Sequence, residues 1–104
     1  MYLIFDTETT GLPQNWKAPL TDFNNWPRCV QLAWQVHDIE GKLVEVKNYI
    51  IKPEGYDIPF NAEKIHGIST ERATKQGMPL VEVLAEFVKD VEKSQFLIVW
   101  YFNP

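Results

Sequence analysis

Tyr2, Leu3, Ile4 and Phe5 form an unbroken β-prone apolar run that ends at Asp6, the pattern of a central strand buried on both faces. Gly11 and Pro13 break the strand. From Gln14 to Pro27 the chain is polar, with scattered aromatics (Trp16, Phe23, Trp26) and no period, so this stretch reads as a long loop. Two more β-prone runs follow, from about Arg28 to His37 and from Leu43 to Ile51, and Glu40-Gly41-Lys42 between them predicts a hairpin turn. Pro53 and Gly55 end the third strand. Pro59, Phe60 and Asn61 then lead into a short helical turn, Ala62 to His66, stopped by Gly67, and Ser69 is placed to cap a second short helix. Pro79 opens a longer helix in which Leu80, Val83, Leu84, Phe87, Val88 and Val91 recur at helical spacing, so one face of it must lie on the sheet. A last apolar run, Phe96 to Phe102, follows this crossover and predicts a strand parallel to the first and beside it. The expected class is α/β: three antiparallel strands in series, helices, then a parallel strand, all in one mixed sheet. No repeat, low-complexity tract or linker divides residues 1–104, which read as a single domain.

Composition narrows this reading only slightly. A chain of 104 residues, 45% of them hydrophobic, has enough apolar material for one packed core. Its formal charge of -4 excludes a broadly basic surface that would hold nucleic acid by phosphate neutralisation alone. An acidic balance still suits a site whose carboxylates hold divalent cations, because the bound metal then meets the phosphate. The single cysteine, Cys29, has no internal partner for a disulfide and lies in an apolar run, which points to a reducing, cytoplasmic setting. Tyr2 to Phe5 is too short for a signal segment or a membrane span, and no membrane partner is expected.

The chemistry lies at the end of the first strand. Asp6-Thr7-Glu8 sets two carboxylates two residues apart, so both point to the same face of the sheet. Like charges so close repel unless a cation offsets them, and carboxylate oxygens are the ligands that Mg²⁺ and Mn²⁺ prefer. The alternative is a pair of solvated acids where a strand meets a loop, and an isolated Asp-x-Glu would favour it. The surroundings favour the metal. Phe5-Asp6-Thr7-Glu8-Thr9-Thr10-Gly11-Leu12 resembles the first motif of the DEDD-type 3′-to-5′ exonucleases, most closely those similar to the proofreading epsilon subunit of DNA polymerase III. Arg28-Cys29-Val30-Gln31-Leu32-Ala33 resembles the second strand of that family. Ile58-Pro59 through Ala62, Ile65-His66-Gly67-Ile68, Gly77 and Pro79 resemble its first helical region.

The resemblance implies a ribonuclease H-like fold and hydrolysis of phosphodiester bonds at single-stranded nucleic acid 3′ ends, with two Mg²⁺ or Mn²⁺ ions. Asp6 matches the carboxylate that bridges both ions, and Glu8 a ligand of the ion that activates water. Thr9 matches a position whose backbone meets the terminal nucleotide. Leu12 matches the apolar side chain that wedges against the last bases, although packing beneath the loop is an equal alternative on the sequence. A polymerase subunit is a further partner of the family's kind. His66, before Gly67 at a helix end, is better placed to interact with the last carbonyls than to act as a general base. His37 has no motif context.

After the last apolar strand the family continues with His-Asn and Phe-Asp, whereas this sequence reads Trp100-Tyr101-Phe102-Asn103-Pro104. The third and fourth carboxylates and the histidine of the His-x-x-x-x-Asp motif have no counterpart in it. The expectation is therefore a truncated exonuclease domain of low or no activity, its alternative a catalytically inactive binding or interaction remnant. Self-association through the surface that the missing half would cover is also expected.

Overall fold

The computed structural model describes residues 1–99, so the expected continuation of the last strand through Trp100, Tyr101 and Phe102 lies outside the described residues. Four strands and three helices follow in the order β1 (Tyr2–Thr9), β2 (Cys29–His37), β3 (Leu43–Ile50), α1 (Phe60–His66), α2 (Thr70–Gln76), α3 (Leu80–Glu92) and β4 (Phe96–Val99). The sheet order is β3-β2-β1-β4, with β1, β2 and β3 antiparallel in series and β4 parallel to β1. This is the α/β mixed sheet that the hydrophobic pattern predicts. β1 does not stop at Asp6, however. Pairing of Asp6 with Ala33 and of Glu8 with Gln31 carries the strand to Thr9, the ladder prevailing over the weak strand preference of acidic residues.

Alternation along β2 explains the layering. Leu32, Trp34 and Val36 are buried and join Leu3, Ile51 and Val83 in the main core, with Phe5 and Phe87 packed against them. Phe87 of α3 meets Phe5 and Trp34 edge-on, with ring centroids 5.4 and 5.1 Å apart. α3 thus covers one face, and its buried Asp90 accepts the Trp34 indole N–H at 2.7 Å. The stripe in contact is narrower than the sequence predicts: Leu84 and Val88 are exposed, because Leu80, Val83, Phe87 and Val91 form the line nearest the sheet. A second cluster, Val30, Ile58, Ala62, Ile68 and Ala73, anchors α1 and α2. The opposite sheet face differs from the expectation of burial on both sides. Tyr2 and Ile4 are only half-buried there, and Val44, Val46, Phe96 and Ile98 of the neighbouring strands are exposed among the described residues.

The helix boundaries have local causes. Gly67, at φ 75°, takes the left-handed conformation that closes α1, and its N–H returns to the Glu63 carbonyl at 2.7 Å. Ser69 Oγ accepts the Arg72 N–H at 3.0 Å and caps α2 as predicted. Gly77 ends α2 where the backbone of Lys52 runs alongside, leaving no space for a Cβ.

Candidate metal centre

β1 is an interior strand, and β4 pairs with it only as far as Phe5 opposite Val99 among the described residues. Asp6 is the next residue. By strand alternation Asp6 and Glu8 share the face turned away from Leu3, Phe5 and α3. Ala33 lies opposite Asp6, and its small side chain leaves room beside the carboxylate. A cleft of ≈ 410 Å³ opens there, with Ile4, Asp6, Ala33, Gln35, Val46 and Asn48 along it. Among the described residues neither carboxylate accepts a side-chain or cap hydrogen bond or pairs with a cation, although Asp6 and Glu8 are both outside the core. Gln31, opposite Glu8, donates instead to Asn48 Oδ1 at 2.8 Å.

Two hard oxygen donors with free lone pairs on one face fit a divalent cation that takes its remaining ligands from water and phosphate. No group of three or more His, Cys, Asp and Glu side chains gathers among the described residues, so the fit extends to part of a coordination sphere. The polar line Gln31, Gln35 and Asn48 beside the acids was readable in the sequence as the outward phase of the two strands. Strand pairing alone brings it next to Asp6.

Between Glu8 and Thr9 the register shifts, the ladder closes with Thr9 opposite Cys29, and the chain bends at Thr10. Thr9 Oγ1 donates to the Gly11 carbonyl at 2.9 Å, while Thr10 N–H donates to the Arg28 carbonyl and Thr10 Oγ1 accepts the Arg28 N–H. These bonds hold the neck of the long loop against the end of β1. Leu12 is 80% exposed, so it does not pack beneath that loop. Within the loop, Asn25 is buried and clasps Asn15, accepting its N–H at 2.6 Å and donating to its carbonyl at 2.9 Å. Trp26 Nε1 donates to the Pro19 carbonyl.

His66 stands at the end of α1, but its contact differs from the expected one with the last helical carbonyls. Nδ1 accepts the Ile68 N–H at 3.1 Å, which requires that nitrogen to be unprotonated. The imidazole thus closes the turn after the helix. At the far end of β2, His37 interacts with Gln35 and the Gly41 carbonyl of the hairpin. Cys29 is half-buried, and its thiol titrates above the ordinary range because burial disfavours the thiolate, an effect partly offset by backbone hydrogen bonding at Gln31.

No protein-family model matches the sequence, and no curated protein matches it at a significant level. Among solved structures, the chain is similar to E. coli exonuclease I in complex with a dT13 oligonucleotide, with a TM-score of 0.73 and 22% identity over 95% of this chain and 20% of that one. It is similar to the dA16 complex of exonuclease I, at TM-score 0.74 and 20% identity over 95% of this chain and 20% of that one. A product-bound exonuclease I gives 0.73 and 22% over 95% and 21%. The chain spans about one fifth of the length of these neighbours. At such identity the likeness shows the fold alone: an α/β mixed sheet like the one in the matched part of exonuclease I.

Proposed function

We propose that this chain carries the first half of the metal site of a 3′-to-5′ exonuclease domain acting on single-stranded 3′ ends. The observation that carries the proposal is the placement of Asp6 and Glu8 on the sheet face turned away from α3, with Asp6 lining a cleft of ≈ 410 Å³. The structural likeness to exonuclease I in complex with oligonucleotides supports the same substrate class. In this reading Asp6 and Glu8 hold Mg²⁺ or Mn²⁺, Thr9 offers its backbone to the terminal nucleotide, and exposed Leu12 meets the last bases. Two divalent ions bound in a complete site supply water activation and stabilisation of the leaving oxygen. The resemblance of the first motif to the epsilon subunit extends the proposal to a proofreading-type enzyme with a polymerase partner, working in the cytoplasm.

The 104 residues taken alone are proposed to be nearly inactive. Two acids gather, no third joins them among the described residues, and both histidines are engaged in turns. Missing general-base help alone typically costs about 10²–10⁴ in rate. The inactive-remnant reading rests on the same observation, and two measurements separate the possibilities. Calorimetry with Mn²⁺ should show weak binding that is lost in Asp6→Ala; equal heats from both proteins would refute the metal site. Monophosphate release from a 3′-labelled single strand in Mn²⁺ should be far below that of a complete enzyme. Robust release that vanishes in Asp6→Ala would show a working site completed by other residues or by a second chain.

A further inference from the structure

The loop between Thr10 and Arg28 holds its shape while turning its largest apolar side chains outward. The Asn15–Asn25 clasp and the Trp26–Pro19 bond cross-link its interior, and backbone turns bond Ala18 to Asn15, Asp22 to Pro19 and Asn25 to Asp22. Yet Trp16 is 70% and Phe23 76% exposed, and Leu20 stands as open. Trp26 spends its indole N–H on the loop itself, whereas Trp16 makes no such bond among the described residues. Trp16 adjoins one end of the clasp and Phe23 lies two residues from the other, so both rings are presented by one fixed scaffold. The scaffold leaves β1 directly after the Asp6–Glu8 pair and returns to it through the Thr10–Arg28 bonds.

We infer that Trp16 and Phe23 form a stacking platform for unpaired nucleobases of the strand whose 3′ end reaches Asp6 and Glu8. The inference rests on the exonuclease reading and names where that substrate's bases are held. In a chain of net charge -4, strand affinity cannot come from general phosphate neutralisation. The loop's charges, Lys17 and Asp22, cancel, so it neither repels phosphates nor offers the cationic face that an anionic lipid surface would need. Flat, exposed rings on a fixed loop are suited to bases, because every base has a π-face and stacking tolerates any sequence.

The test is titration of a short fluorescein-labelled thymidylate strand into the full chain in EDTA, which removes any metal contribution. Trp16→Ala and Phe23→Ala should each weaken binding about 5- to 150-fold, the range of single base–aromatic stacks. Both variants should retain the wild-type urea midpoint, since neither ring is buried. An abasic strand of equal length should bind weakly and equally to all three proteins, and a uridylate strand run in parallel distinguishes RNA from DNA as the source of the bases. Undiminished binding by the variants, no wild-type preference for bases over the abasic strand, or a Trp16-dependent effect confined to phosphatidylglycerol vesicles or to self-association in sedimentation would each overturn the platform. Mn²⁺ calorimetry on Trp16→Ala should match wild type, so loss of the metal site and loss of the platform are read separately.

Discussion

The most sharply defined prediction concerns the tie between Asp90 and Trp34. The indole N–H donates to the carboxylate at 2.7 Å, and the two residues are 3% and 1% exposed, so neither group exchanges its partner for water. Asp90→Ala removes the acceptor and strands a buried donor. A hydrogen bond to a charged group contributes about 1.5–3 kcal/mol and an orphaned buried donor costs about 1–3 kcal/mol; these overlap, so the expected loss is about 2–3 kcal/mol. Lys93, 3.6 Å from the same carboxylate, is largely exposed, and its pairing adds at most about 1 kcal/mol. Asp90→Asn keeps an acceptor oxygen for the indole and should cost less than about 1.5 kcal/mol. With a urea dependence of about 1–3 kcal/mol per molar for a small protein, Asp90→Ala should lower the unfolding midpoint by roughly 1 M or more, and Asp90→Asn by distinctly less. Equal stability of Asp90→Ala and wild type, or equal damage from both substitutions, would refute the reasoning. The tie bears on the site because Trp34 sits opposite Phe5, one residue before Asp6, and both rings rest on Phe87.

His66→Ala should lose about 0.5–1.5 kcal/mol in urea unfolding, the contribution of the Nδ1 bond to Ile68, and leave Mn²⁺ affinity unchanged; an intact midpoint with abolished Mn²⁺ binding would reverse the assignment. Gly77→Ala would set a Cβ 2.5 Å from the Lys52 nitrogen and 2.7 Å from its Cα, so a loss of about 1–3 kcal/mol is expected, and a neutral result would mean that the end of α2 does not approach the Lys52 backbone this closely. Because burial raises the Cys29 thiol, iodoacetamide at pH 8 should alkylate it more slowly in the folded protein than in urea. The difference should narrow as pH rises through the folded value, and equal rates at pH 8 would contradict the half-buried position.

Local patterns in the chain determined most of the secondary structure. Unbroken apolar and alternating runs marked the strands, Gly41 and Gly67 marked a hairpin and a helix end, and Ser69 announced its own helix, because each of these is decided within a few residues. Strand alternation likewise placed Asp6 and Glu8 on one face before any packing was known. Other features depended on contacts between distant residues. Strand pairing extended β1 through the acids and set Ala33 beside Asp6. The sheet chose which line of α3 to bury, leaving Leu84 and Val88 outside and drawing in Asp90, whose burial no apolar pattern announces because its partner lies 56 residues away. The loop from Gln14 to Pro27 had no period to read, since its order comes from the Asn15–Asn25 clasp and not from a repeating face. Residue type and spacing suffice where a backbone geometry repeats; where a side chain's environment is built from the other end of the chain, only the tertiary structure decides it.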